Sequence, residues 1–79
     1  MSSLRTNEYK HFLRRLYLAR ENSGLTQIQV ARKLNKPQSF VSKCEQGERT
    51  VNAIELFRFS IVYEVSIDFF FEGIQNEND

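Results

Sequence analysis

The sequence predicts a single all-α domain built from five short helices. Apolar residues recur at spacings of three and four rather than two, the spacing of one face of a helix. The 79 residues contain only 3 Gly and 1 Pro, so few positions break a helix. Capping signals at Thr6, Thr26, Asn52 and Ser66 punctuate the chain where new helices would begin. A composition 41% hydrophobic and 27% charged, with a net charge of +1, supplies one core and lacks the profile of disorder. Two cores would each need a chain about this long, which excludes a multidomain enzyme. The single cysteine, Cys44, excludes an intramolecular disulfide, and with His11 as the one histidine there is no zinc-ligand cluster, so no cofactor or metal is expected. The chain has no apolar run of membrane-spanning length, and MSSLRTNEYK lacks the apolar stretch of a secretory signal. A cytoplasmic protein with no membrane partner is therefore expected.

The first helix is expected over Asn7 to Asn22, with Thr6 or Asn7 as its cap, Glu8 in the first turn and Gly24 ending it. Tyr9, Phe12, Leu13, Leu16 and Ala19 fall on one face. Arg20 falls in the middle of that face and needs an acidic partner from elsewhere in the fold. Thr26-Gln27-Ile28-Gln29 has the form of a capping box, opening a second helix through Leu34 with Ile28, Val30, Ala31 and Leu34 inside. Asn35 tolerates the left-handed conformation that ends a helix, and Pro37 can open a new one. The third helix, Gln38 to Gln46, places Gln38, Ser39, Ser42, Lys43 and Gln46 within an arc of about 140°, opposite Phe40, Val41 and Cys44, and Gly47 closes it. Asn52 and Glu55 cap a fourth helix to about Tyr63, and Ser66 a fifth, Ile67 to Glu72, stopped by Gly73. Residues 1–6 are expected to form a flexible arm, 7–73 the domain, and 74–79 a frayed acidic tail.

The near-neutral charge hides an asymmetry. Residues 1–50 carry ten basic groups against four acidic ones, whereas in residues 51–79 Arg58 alone faces six acidic groups. A basic half suits a polyanionic partner. The polar face of the third helix points the same way, because it carries amides, hydroxyls and one ammonium, the groups that read base edges, where a merely solvated face would be rich in Glu and Lys.

Residues 27–46 resemble the helix-turn-helix of the phage Cro/CI repressor type, the XRE family. The resemblance rests on Thr26-Gln27 opening the first motif helix, Val30-Ala31 and Leu34 inside it, Val41-Ser42-Lys43 in the second, and Glu45-x-Gly47 closing it. Arg20 to Leu25 before the motif, and Leu56-x-x-Phe59-Ser60 with Val65-Ser66 after it, also agree. The sequence departs from the family pattern at Asn35, Lys36, Cys44 and Glu64, the last at a position where glycine often ends helix four. The resemblance implies a compact five-helix lambda-repressor-like DNA-binding domain whose Gln38, Ser39, Ser42 and Lys43 face the major groove, with Gln38 suited to adenine and Lys43 to guanine. It also pairs Arg20 with Glu45 as a structural ion pair.

Gln27, beside the free N–H groups that open the second helix, is a candidate phosphate contact. Lys36, Arg49 and the pair Arg14/Arg15 are weaker ones, with Arg49 preferred to Arg14. Ile54, Phe57 and Ile61 form a second apolar stripe on the fourth helix that one small core need not cover; with Phe69 or Phe71 it is the expected homodimer interface. Cys44 points inward beside Phe40 and Val41, and no acid-base constellation accompanies His11, so the chain is not expected to be an enzyme. The expected function is a sequence-specific regulator, a repressor binding double-stranded DNA at a pseudo-palindromic operator as a homodimer. The alternative is an antitoxin-like or adaptor module that holds a protein partner on its last two helices.

Overall fold

The computed structural model describes residues 6–75. Four α-helices, α1 (Asn7–Ser23), α2 (Gln27–Leu34), α3 (Gln38–Gln46) and α4 (Ala53–Tyr63), are followed by a 3-10 helix over Ile67–Phe71. Residues 1–5 of the expected arm (1–6) and residues 76–79 of the expected tail (74–79) lie outside the described residues.

Local chemistry starts and stops these helices. Thr6 accepts a hydrogen bond from the Tyr9 N–H at 3.0 Å, so Thr6 and not Asn7 is the cap of α1. Both expected capping boxes form. Gln29 returns the bond of Thr26 at 2.8 Å, and Glu55 returns that of Asn52 at 3.0 Å, so each box satisfies two otherwise orphaned N–H groups. Asn35 (φ 57°) and Glu64 (φ 57°) end α2 and α4 in the left-handed region. Gly47, at φ 79°, ends α3, and a Cβ there would lie 2.9 Å from Leu13 Cδ1, so glycine also sets how closely the end of α3 approaches α1.

The fifth helix differs from expectation. It is a five-residue 3-10 turn ending at Phe71, and Ser66 contributes its backbone carbonyl, to the Phe69 N–H at 3.0 Å, rather than a side-chain cap. So short a segment forms too few i to i+4 bonds to repay α-nucleation, and i to i+3 bonds close it instead.

The core joins Phe12, Leu16 and Ala19 of α1 to Val30, Ala31 and Leu34 of α2, Phe40, Val41 and Cys44 of α3, Phe59 and Tyr63 of α4, and Phe70. Phe40 and Phe59 stack at 6.0 Å between ring centroids, and Phe59 and Tyr63 at 5.7 Å. Small Ala31 is almost wholly buried on α2, the helix that packs most closely on α3. Ile28 corrects the expected inner face of α2, since it is 43% exposed. At about 100° per residue it lies more than a quarter-turn from the line of Val30, Ala31 and Leu34. In the Phe69-Phe70-Phe71 run the three rings divide: Phe70 is buried, Phe69 half-buried and Phe71 exposed.

Glu64 holds a backbone conformation that disfavours any side chain with a Cβ. Glu64→Gly is therefore expected to raise stability by about 0.5–1 kcal/mol, and Gly47→Ala, which adds the contact with Leu13, to lower it by about 2 kcal/mol, both read by urea denaturation.

Candidate nucleic-acid interface

The buried faces of α2 and α3 fix what the opposite face of α3 presents. With Phe40, Val41 and Cys44 turned inward, Gln38, Ser39, Lys43 and Gln46 are exposed and Ser42 is half-buried on the outer side. These five line one shallow polar depression with Gln27 of α2 and Glu48 of the following loop. Among the described residues, no hydrogen bond or ion pair occupies the side chains of Gln38, Ser39 or Lys43, which leaves their polar groups available to a partner. Ser42 is engaged, because Gln46 Nε2 donates to its Oγ at 3.3 Å.

Behind this face lies a charged anchor. Arg20 Nε and Nη2 donate to Glu45 Oε2 and Oε1 at 2.7 and 3.1 Å, a two-pronged pair in which the side chains are only 12% and 7% exposed. Arg20 Nη1 also donates to the Leu25 carbonyl at 3.3 Å. Gln27 Nε2 donates to Glu45 Oε1 at 3.0 Å, so the side chain expected to reach a phosphate is itself held by the anchor. The Glu45 hydrogen bond, as the largest influence, raises the Arg20 pKa above its ordinary value.

The basic side chains take different roles. Lys36 Nζ lies 5.2 Å and Arg49 Cζ 4.7 Å from the centroid of the same ring, Phe40, so two cations are gathered beside the start of α3. Arg49 Nη1 also bonds Glu55 Oε1 at 2.8 Å, and Arg49 is 42% exposed, so part of the guanidinium still faces outward. Arg14 is exposed on α1. Arg15, next to it, is a strap instead: its Nε donates to the Phe69 carbonyl at 2.8 Å, its Nη2 lies 3.2 Å from Glu72, and its guanidinium covers the Phe69 ring at 4.0 Å. His11 Nε2 donates to the Glu72 carbonyl at 2.6 Å, on the same C-terminal segment. The Cys44 thiol is wholly buried, and burial raises its pKa, which disfavours the nucleophilic thiolate. Among the described residues, no group of His, Cys, Asp and Glu is placed to hold a metal, and no helix is long and apolar enough to cross a membrane.

The domain thus has two short packed helices, α2 burying Val30, Ala31 and Leu34 and α3 presenting amides, hydroxyls and an ammonium, over an Arg–Glu anchor. A family model described as helix-turn-helix matches residues 16–70, well over half of the chain. The chain belongs to the XRE family of Cro/CI-type helix-turn-helix proteins. It is a DNA-binding transcription regulator by family, and its four helices and 3-10 turn are the helix-turn-helix fold. A comparison with curated proteins found no match.

Sequence reasoning did not single out Gln46 as more than a member of the polar arc, although its position four residues after Ser42 on a helix was the signal for a side-chain pair. It also missed Glu48, the one carboxylate at the edge of the depression.

Removing the Glu45 carboxylate strands a largely buried guanidinium, so Glu45→Ala is expected to lose about 3 kcal/mol in urea denaturation, whereas an Arg20→Met/Glu45→Leu double variant loses far less. The hydrogen bond from Arg49 lowers the Glu55 pKa in the folded state below its ordinary value. Glu55 then contributes stability that is complete at pH above the unfolded carboxylate's pKa, about 4.3, and is lost as pH falls through the lower folded value. A Glu55→Gln variant should accordingly show a shallower loss of stability on acidification below about pH 4.5 than the wild type.

Proposed function

We propose that this chain is a sequence-specific repressor that occupies a pseudo-palindromic operator as a homodimer, each copy laying α3 in the major groove. The observation that carries the reading is the outer face of α3, where Gln38, Ser39 and Lys43 are exposed and not used by the fold. Gln38 can bond adenine through its two-pronged amide and Lys43 can donate to guanine O6 and N7. Gln27 and the free N–H groups at the start of α2 face the backbone, with Lys36, Arg49 and Arg14 as cationic contacts. Such a regulator is non-enzymatic and needs no cofactor.

One such helix reads few base pairs, and a second copy doubles the contacts with half-sites about one helical turn apart. The exposure of Ile54 (63%), Phe57 (55%) and Ile61 (61%) along one side of α4 supports that pairing, as does that of Phe71. Phe69, half-buried beneath Arg15, offers less to it. In an interaction module the same stripe would seat a different protein.

Selection from a random pool of duplexes at low salt tests the reading. Wild type is expected to enrich an inverted repeat, and a folded Gln38→Ala/Lys43→Ala variant to lose that preference. Enrichment of nothing by folded wild type, together with salt-insensitive binding to another protein, would favour the interaction module. Lys36→Ala is expected to weaken binding to all duplexes alike and to reduce the slope of log affinity against log salt by about 1. In sedimentation at high micromolar concentration wild type should run as a dimer and Phe57→Glu as a monomer.

A further inference from the structure

A serine hydroxyl carries one proton and two lone pairs, so on its own it reads a base edge that donates as readily as one that accepts. Ser42 is not on its own. Gln46, the last residue of α3 and one turn further along the same face, donates its amide to Ser42 Oγ at 3.3 Å. That bond engages a lone pair and polarises the remaining O–H, which makes the hydroxyl a stronger donor and a poorer acceptor toward the groove. The next side chain, Lys43, has three protons to donate and no lone pair. The C-terminal half of the reading face is therefore donor-rich, while Gln38 and Ser39 at its start can act in either sense.

We propose that Gln46 is a specificity-determining positioning residue, which by donating to Ser42 makes the protein prefer guanine or thymine at the base facing Ser42. The inference rests on the regulator reading above and adds to it the sense of one base contact. Guanine presents N7 and O6, and thymine O4, as acceptors with no donor in the major groove, whereas cytosine presents only its N4 amino group as a donor. Replacing the amide with a carboxylate reverses the bond. In Gln46→Glu the hydroxyl of Ser42 donates to the new carboxylate and turns its lone pairs to the groove, which suits the amino groups of cytosine or adenine.

The test is selection from a random duplex pool with wild type, Ser42→Ala, Gln46→Ala, Gln46→Glu and the Ser42→Ala/Gln46→Ala double variant, all verified as folded by circular dichroism. Ser42→Ala identifies the position concerned as the one whose preference it abolishes. At that position Gln46→Ala is expected to reduce the preference for guanine or thymine over cytosine roughly threefold to tenfold, the worth of one ordinary hydrogen bond. Gln46→Glu is expected to shift it toward cytosine or adenine, and Gln46→Ala should add nothing once Ser42 is alanine. An unchanged preference in both Gln46 variants overturns the proposal while leaving the regulator reading intact. So does a Ser42→Ala variant that alters no position, or a Gln46→Ala effect that persists without Ser42. Enrichment of no sequence by wild type overturns the regulator reading and this inference with it.

Discussion

Glu45 accepts two hydrogen bonds from Arg20 of α1 and one from Gln27 of α2 while sitting on α3, so a single carboxylate ties three helices together. The rest of the reading surface depends on this point for a simple reason. A helix of nine residues is marginal by itself, and α3 begins at Pro37 with no side-chain cap to steady it. Its orientation is set by what holds it from behind, the packing of Phe40, Val41 and Cys44 and the anchor at Glu45. Desolvating a carboxylate and a guanidinium is offset only when geometry is good and the remaining groups are satisfied. Both conditions hold here, because the fork of Arg20 meets both oxygens and its third nitrogen meets the Leu25 carbonyl.

The same economy governs the other cations. Arg15 and His11 fasten the C-terminal segment to α1 through Glu72 and the Phe69 carbonyl, which brings Phe70 into the core beside Phe12. Arg49 fastens the loop after α3 to the start of α4 through Glu55, itself the N-terminal capping partner of Asn52. The positive charge of the first fifty residues is therefore partly internal mortar. What remains free for a polyanion is smaller than the count of basic residues: among the described residues Lys10, Arg14, Arg32, Lys33 and Lys43 are exposed with no ion pair, Lys36 is half-buried, and part of Arg49 faces outward.

Helix α4 shows how a small domain leaves apolar surface over. Phe59 and Tyr63 on one side complete the core, and Ile54, Phe57 and Ile61 on another stay more than half exposed among the described residues. A chain of this length encloses too small a core to bury an almost wholly apolar helix on every side. The leftover stripe turns away from the core and stays at the surface.

Sequence alone determined where α2, α3 and α4 begin and end, because capping boxes at Thr26 and Asn52, left-handed exits at Asn35 and Gly47 and apolar periodicity are chemistry between neighbours a few residues apart. It also determined which side of α3 is polar, and, through the family resemblance, that Arg20 and Glu45 belong together. Tertiary structure decided the rest. Whether Ile28 is buried, whether Arg15 is a strap or a free cation, and whether residues 67–71 wind as α or 3-10 depend on which other segments pass within a few ångströms. The bond of Gln27 to Glu45 spans eighteen positions of the chain, and that of Arg15 to Phe69 fifty-four. Contacts of that range leave no periodic trace, since each side chain is chemically suited to several partners and the path of the backbone selects one.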